Sequence, residues 1–159
     1  MYITLLCVGK IKEKYWQQAI DEYSKRLSKY HSFKIVAVAD EKDPAQESEK
    51  AINALKDKEA ERLLNHIKAD DFVITLEING KAPDTLALAA QLRTWESTGH
   101  THLSFVIGGS YGLGDSVLRR SDYALSFSKL TFPHQLMRVI FCEQLYRCAR
   151  INSGQKYHK

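Results

Sequence analysis

Five short apolar runs, separated by charged or amphipathic segments, constrain the fold of this 159-residue chain more than any other feature. The runs cover residues 3–8, 33–38, 72–76, 103–107 and 123–127. Between them, apolar residues recur at helical spacing, as from residue 14 to about residue 30. Strands that alternate with helices over short connections predict an α/β fold, with a mostly parallel sheet and helices on both faces.

The composition fits one domain covering residues 1–159, because 44% of the residues are hydrophobic and 26% are charged. The three cysteines are odd in number and lie in apolar segments, which favours a reduced, cytoplasmic protein over a disulfide framework. The first apolar run lacks the basic flank of a signal peptide and is interpreted as a strand. No run approaches the length of a membrane span, so we expect no membrane association.

The stretch from residue 103 to residue 133 holds the best candidate for a ligand-binding edge. Two strand-like runs in it each end in a loop of small or hydroxyl residues, with no acidic side chain before Asp115. The first loop, residues 108–114, contains four glycines. In an open α/β sheet, ligands bind beside loops at the carboxyl ends of strands. A glycine loop alone is a weak signal, since a tight turn has the same composition.

Positive charge is concentrated in the same part of the chain. Residues 1–107 hold 15 Lys and Arg against 16 Asp and Glu, whereas residues 108–159 hold 8 against 3. A one-sided basic surface is typical of proteins that bind a phosphate backbone. A basic face without a partner explains the charge equally well.

Several familiar sites are not predicted. The glycine loop lacks a Gly-Lys-Ser or Gly-Lys-Thr ending and does not match Gly-x-Gly-x-x-Gly, so a nucleotide phosphate site is disfavoured. The six histidines show no metal-ligand spacing and are interpreted as surface residues, so no metal is expected. Asp115 and Glu143 stand alone and suit a helix cap and an ion pair better than a catalytic pair.

The last helix, predicted over residues 133–150, differs from the others. Pro133 suits the first helical position. Apolar residues then point nearly all round the helix: Leu136, Met137, Val139, Ile140, Phe141, Leu145, Tyr146 and Ala149. Because one stripe is enough to cover a sheet, the remaining apolar surface predicts contact with a second copy of the chain. The alternative is a central helix wrapped by its own chain.

The carboxyl-terminal residues Tyr157, His158 and Lys159 form a second candidate site. Terminal residues usually fray and carry no function. This ending nevertheless combines an aromatic ring, an acid–base group and a cation, which suits a flipped nucleobase.

Together these motifs resemble the ribosomal large-subunit methyltransferase H family, pseudouridine-N3 methyltransferases of the SPOUT superfamily. The resemblance runs nearly end to end. Its motifs are Phe-Val-Ile-Gly-Gly-Ser at 105–110, Leu-Ser-Phe-Ser-Lys-Leu-Thr-Phe-Pro-His-Gln at 125–135, Arg138, Glu-Gln-Leu-Tyr-Arg at 143–147 and the Tyr-His-Lys ending, with Val-Gly-Lys at 8–10, Lys-Tyr-Trp at 14–16 and Thr-Leu-Glu at 75–77.

The resemblance implies a SPOUT-type sheet with a carboxyl-terminal trefoil knot, a homodimer, and S-adenosylmethionine bound inside the knot. The implied substrate is a pseudouridine in a hairpin loop of 23S rRNA, in the large subunit or the whole ribosome, methylated on assembled ribosomes. The implied cofactor residues are Leu76, Gly108, Phe127, Ser128, Lys129, Leu130, Thr131 and Phe132. The implied catalytic residues are Arg147, Tyr157 and His158.

The sequence leaves the individual roles open. His158 is a candidate base for the N3 imide proton or an orienting group, and Tyr157 could stack on the base or hydrogen-bond to it. Arg147 could stabilise the developing imidate or hold a phosphate. Two other classes of function remain as alternatives: a non-catalytic ribosome-binding protein and a flavodoxin-like module that binds a small molecule.

Overall fold

The computed structural model describes residues 1–158, which form five strands and five helices in one α/β arrangement. The strands are β1 (Tyr2–Val8), β2 (Ser32–Val38), β3 (Phe72–Lys81), β4 (His102–Ile107) and β5 (Tyr123–Leu125). The helices are α1 (Lys14–Leu27), α2 (Glu49–Leu64), α3 (Thr85–Ser97), α4 (Asp115–Arg120) and α5 (His134–Asn152).

All five strands pair in parallel, in the order β2-β1-β4-β3-β5. Strand β1 lies inside the sheet, with Leu5 opposite Ile35 of β2 and Phe105 of β4. The predicted α/β fold with a parallel sheet is therefore confirmed. The trefoil knot implied by the resemblance stays a prediction.

The sheet is buried on both faces, which explains why its strands are continuous apolar runs. Successive residues of a strand point to opposite faces. Leu5 and Cys7 thus pack in the core formed with α1, α3 and α5, whereas Leu6 and Val8 pack in a second core with α2 and α4. Helices cover both faces, as the alternation of elements predicts. No helix within residues 1–158 is both long and apolar enough to cross a membrane.

The end of β3 differs from the prediction. The strand continues to Lys81, so Asn79 and Gly80 lie in it and do not form the expected turn. Leu76 and Lys81 both pair with Leu125, and the residues between them bulge outward. Gly80 lies against the backbone of β5, where an added Cβ would come within 2.8 Å of its atoms. Close packing of two backbones, which sequence spacing does not reveal, keeps this segment extended.

The ends of β5 and of two helices also differ from the prediction. β5 ends at Leu125, and the hydroxyl of the next residue, Ser126, donates to the carbonyl of Ile78, 3.0 Å away. Pro133 is the residue before α5 and not its first helical residue. Asp115 lies in the first turn of α4, which follows Gly114 without a side-chain cap.

Helix α5 is covered by its own chain over its second half. Phe141, Cys142, Leu145, Cys148 and Ala149 are buried in the core shared with α1 and α3. For that half, the alternative of a helix wrapped by its own chain is confirmed. The half-buried residues lie mainly in the first half: Leu136, Met137, Val139 and Ile140. The apolar surface of α5 that its own chain leaves partly open lies mainly in that part of the helix.

The three cysteines are free and fully buried, and burial raises the pKa of each thiol to about 12. The reactive thiolate is then on the order of one part in 10⁴ at pH 8. We expect the native protein to leave a chromogenic disulfide reagent unreacted over minutes, and to react with three equivalents in denaturant. Rapid reaction of one thiol in the native state would contradict this burial.

Candidate active site

A cavity of about 550 Å³ opens at the carboxyl ends of β3, β4 and β5. Its walls come from the end of β3, from the glycine loop after β4 and from the segment between β5 and α5. The residues that line it include Leu76, Gly108, Phe127, Ser128, Leu130, Thr131 and Phe132, with Ile107, Leu125 and Met137. The predicted ligand-binding edge therefore carries a cavity of the size typical of small-molecule sites.

The glycine loop is closed by backbone contacts. Gly109 and Gly112 form an isolated bridge, and Gly112 has a φ of +84°, a conformation that favours glycine. Gly108 lines the cavity, but a Cβ there would lie 2.7 Å from the carbonyl carbon of Gly112. Glycine is therefore required at position 108 by the close packing within the loop as well as by the open space of the cavity that it lines.

The segment between β5 and α5 is fixed by short-range hydrogen bonds. The backbone N–H of Leu130 donates to the hydroxyl of Ser128 at 2.9 Å. The ring of Phe127 packs edge-on against Phe141 of α5, with centroids 6.2 Å apart. Leu130 is nevertheless 71% exposed, so the outer wall of the cavity is open to solvent.

Seven of the eight predicted cofactor residues line this cavity. The exception is Lys129, whose ammonium group donates to the carbonyl of Ile78 at 3.2 Å and holds β3 to the wall segment. The structure thus brings together positions that are about 50 residues apart in sequence, which the resemblance implied.

The chemistry of the walls fits S-adenosylmethionine, the donor that the resemblance implies. Apolar side chains such as Ile107, Leu125 and Phe127 suit an adenine ring and an aliphatic arm. Backbone groups of the glycine loop and the Ser128 hydroxyl supply polar contacts. The lining lysine, Lys56, belongs to α2, so the loop has no lysine of the kind that holds a nucleotide phosphate.

The predicted catalytic residues lie elsewhere in the protomer. Arg147 bonds Glu143 at 2.5 Å, which confirms the expected ion pair of Glu143. The Tyr157 ring lies over the Arg147 guanidinium at 4.7 Å, and its hydroxyl donates to Glu143 at 3.3 Å. Burial, and then the charge of Glu143, raise the pKa of the Tyr157 phenol.

Neither this cluster nor the exposed His158 lines the cavity, and Lys159 falls outside the described residues. Within the single chain, the structure therefore separates the predicted catalytic residues from the predicted cofactor residues. The chain folds Tyr157 back onto α5, where it also packs against Tyr146 at a centroid distance of 5.0 Å.

Sequence reasoning missed His134 and Glu59. His134 lines the cavity and is half-buried, and burial followed by the charge of Arg138 lowers the pKa of its imidazole. Its position directly after Pro133, at the predicted ligand edge, could have indicated it. Glu59 is only 5% exposed, although it lies in the middle of a charged helix that gives no such indication.

Among residues 1–158, no group of three or more His, Cys, Asp or Glu side chains is placed to hold a metal ion.

The structure is that of a parallel α/β protein with a cavity of small-molecule size at the carboxyl edge of its sheet. Residues 1–158 match the model of a family described as "Predicted SPOUT methyltransferase". A relative from Methanococcus maripaludis (strain C5 / ATCC BAA-1333), named "Putative ribosomal RNA large subunit methyltransferase H", is 52% identical over 159 residues, covering 100% of both chains. This chain belongs to the SPOUT methyltransferase family.

A solved structure supports the fold. The "Probable Methyltransferase" from Bordetella pertussis Tohama I superposes with a TM-score of 0.55 over 92% of this chain and 95% of that chain. Its sequence is 13% identical, so the likeness extends to the fold alone.

Substitution of Gly108 tests the cavity. In Gly108→Ala, the added Cβ must displace the backbone of Gly112, which deforms the cavity wall and leaves both cores intact. We expect S-adenosylmethionine affinity, measured by titration calorimetry, to fall at least about tenfold, which corresponds to about 1.4 kcal/mol. Circular dichroism should show unchanged secondary structure. Thr101→Ala, at the opposite end of β4, serves as the control, and equal affinities in both variants would remove Gly108 from the site.

Proposed function

We propose that this chain transfers a methyl group from S-adenosylmethionine to N3 of a pseudouridine in a hairpin loop of 23S rRNA, acting on assembled ribosomes. The observation that carries the proposal is the end-to-end match to a relative named as a large-subunit rRNA methyltransferase, at 52% identity. The cavity at the carboxyl edge of the sheet supports a methyl donor of this size and polarity.

The basic third of the chain supports an RNA substrate less strongly than its charge alone suggests. Arg138 is 1% exposed and donates to the carbonyl of Val8 at 2.6 Å. Arg120 pairs with Asp122, and Arg147 pairs with Glu143. These three of the eight basic residues are engaged within the chain, and the case for rRNA depends mainly on the relative.

A homodimer would bring the two separated halves of the site together. Leu136, Val139 and Ile140 are half-buried residues of α5. Along the helix they follow the cavity-lining end and precede Arg147. If two copies pack through this surface, the Arg147 and Tyr157 cluster of one copy approaches the cavity of the other. The short distances within the cluster support its action as one unit.

S-adenosylmethionine, when bound, supplies the electrophilic methyl group. The chain must orient the base and remove the imide proton, and His158 is the proposed base because its imidazole is exposed and histidine is the side chain that most often serves as a general base. The Tyr157 ring offers a stacking surface, and Arg147 is the cation available to an imidate or a phosphate.

The direct test is methyl transfer to ribosomes from a strain that lacks this protein, with the product nucleoside identified by mass spectrometry. N3-methylpseudouridine in 23S rRNA is expected. Binding to ribosomes without methylation would favour a non-catalytic ribosome-binding protein. Failure to bind S-adenosylmethionine would favour a module for another small molecule.

The dimer is tested at Ile140. Ile140→Asp places a carboxylate on the half-buried surface of α5, and light scattering should show the mass of a monomer where the wild type shows a dimer. Asn53→Asp adds the same charge on exposed α2, at the opposite face of the sheet, and should remain dimeric. Phe141→Asp is a poor test because Phe141 is 2% exposed in its own core. A monomeric wild type would end the dimer proposal.

The tail is tested by His158→Ala. His158 is exposed and fills no part of the cavity, so the fold and S-adenosylmethionine affinity should be unchanged. Loss of a general base should lower methyl transfer by roughly 10²–10⁴-fold.

Deletion of the last three residues is a less specific change, since it removes the packing of Tyr157 on Tyr146 and Arg147. Tyr157→Phe removes only the hydroxyl bond to Glu143 and keeps the ring. Wild-type turnover by His158→Ala would exclude that residue as the base.

A further inference from the structure

A second cavity, of about 360 Å³, lies beside the first along the same edge of the sheet. It is formed at the carboxyl ends of β1 and β2 and by the glycine loop after β4. Residues 109–111 and His134 line both cavities, so the two share a wall. The second cavity is lined largely by polar and charged residues, which include the three lysines Lys10, Lys12 and Lys42 and the four acidic residues Asp40, Glu41, Asp43 and Glu59.

The topology of the sheet places this cavity where a ligand is expected. From β1 the chain continues to β2 on one side, whereas from β4 it continues to β5 on the other side. The loops that follow β1 and β4 diverge, and a crevice opens between these adjacent strands. Ligands of open α/β sheets bind at such a switch point. Val8 and Gly9 on one side and Gly109 on the other line this crevice.

Glu59 is the unexplained group in this cavity. One of its carboxylate oxygens accepts the backbone N–H of Glu41 at 3.0 Å. The other, Oε2, is buried and has no hydrogen-bond partner among the described residues. It lies against Gly109 of the shared wall, 2.9 Å from the position of an added Cβ.

A buried carboxylate oxygen without a donor is costly to the fold. Burial, followed by the charge of Asp40, raises the pKa of the Glu59 carboxyl, because both disfavour its charged form. Rotation of the last side-chain torsion, which is broad for glutamate, turns either oxygen toward the cavity. A ligand that carries an N–H group would supply the missing partner.

We propose that this second cavity receives the target nucleotide and that Glu59 accepts a hydrogen bond from N1–H of its base. The inference rests on the proposed function. In pseudouridine the ribose is bonded to carbon, so N1 carries a hydrogen, whereas in uridine N1 is bonded to the ribose. An acceptor at this position distinguishes the two bases and leaves N3 free to react.

The second cavity has lysines for the phosphates of a nucleotide beside the acidic residues Asp40, Glu41 and Asp43. Lys10, Lys12 and Lys42 are exposed at the rim, where ammonium groups can hold the flanking phosphates. A base that reaches Glu59 lies against the wall shared with the first cavity. Sites that hydrogen-bond a substrate N–H reject analogues that lack it much more strongly than apolar pockets do. Glu59 would thus be a specificity residue for pseudouridine over uridine.

The experiment measures kcat/KM for methyl transfer to large subunits that carry either pseudouridine or uridine at the target. In Glu59→Gln, the amide oxygen still accepts from Glu41 and the amide NH2 faces the base, so N1–H meets a donor. The ratio of kcat/KM for pseudouridine over uridine should fall at least roughly tenfold, chiefly through the pseudouridine substrate. S-adenosylmethionine affinity should stay unchanged, because Glu59 does not line the first cavity.

Glu61→Gln, on the exposed side of the same helix, is the matched control and should keep the wild-type ratio. Lys12→Ala should raise KM for both substrates and leave the ratio unchanged. If Glu59→Gln does not fold, Glu59→Asp keeps the charge, withdraws the acceptor and should lower the ratio in the same way.

A Glu59 variant that methylates both substrates in the wild-type ratio would overturn the inference. So would a wild-type protein that does not distinguish the two bases, although N3 methylation and the proposed function would then stand. Absence of methyl transfer by the wild type on either substrate would instead refute the proposed function itself.

Discussion

Burial of the parallel sheet on both faces is the constraint on which the rest of the structure depends. Because all the strands run in the same direction, the loops that follow them all lie at one edge of the sheet, the carboxyl edge. The faces are filled by two apolar cores and have no room for a ligand. Both cavities described above lie instead at the carboxyl edge, where the segments after the five strands form their walls.

The walls of those cavities are held by contacts between backbones. Gly80 lies against β5, and Gly108 lies against Gly112, each so closely that an added Cβ would come within 3.0 Å of backbone atoms. Side-chain bonds from Ser126 and Lys129 to the carbonyl of Ile78 join the same segments. A cavity made in this way is stiff, and stiffness favours a reaction in which orientation of two reactants supplies much of the rate.

Helix α5 joins the fold to the proposed chemistry. Its second half fills the core, and Arg138 ties it to the end of β1 through a buried hydrogen bond to Val8. The same helix carries the Glu143 and Arg147 pair on which Tyr157 rests. One element therefore connects the core, the cavity wall at Met137 and the carboxyl-terminal cluster, so a change in its position would alter all three.

The sequence by itself determined the five strands, the helices α1, α2, α3 and α5 and the α/β class, because those depend on local periodicity and on apolar runs that only a doubly covered sheet can bury. The motifs also indicated Leu76, Gly108 and residues 127–132 as one site, and all of these except Lys129 line one cavity.

Only the tertiary structure decided which residues meet. The extension of β3 to Lys81 depends on the backbone of β5, and the burial of Glu59 depends on a loop 50 residues away. A lone carboxylate in a charged helix looks like a solvated residue until that loop covers it. A local sequence pattern shows on which face of its own helix or strand a residue lies. Contacts with distant elements decide whether that residue is also buried.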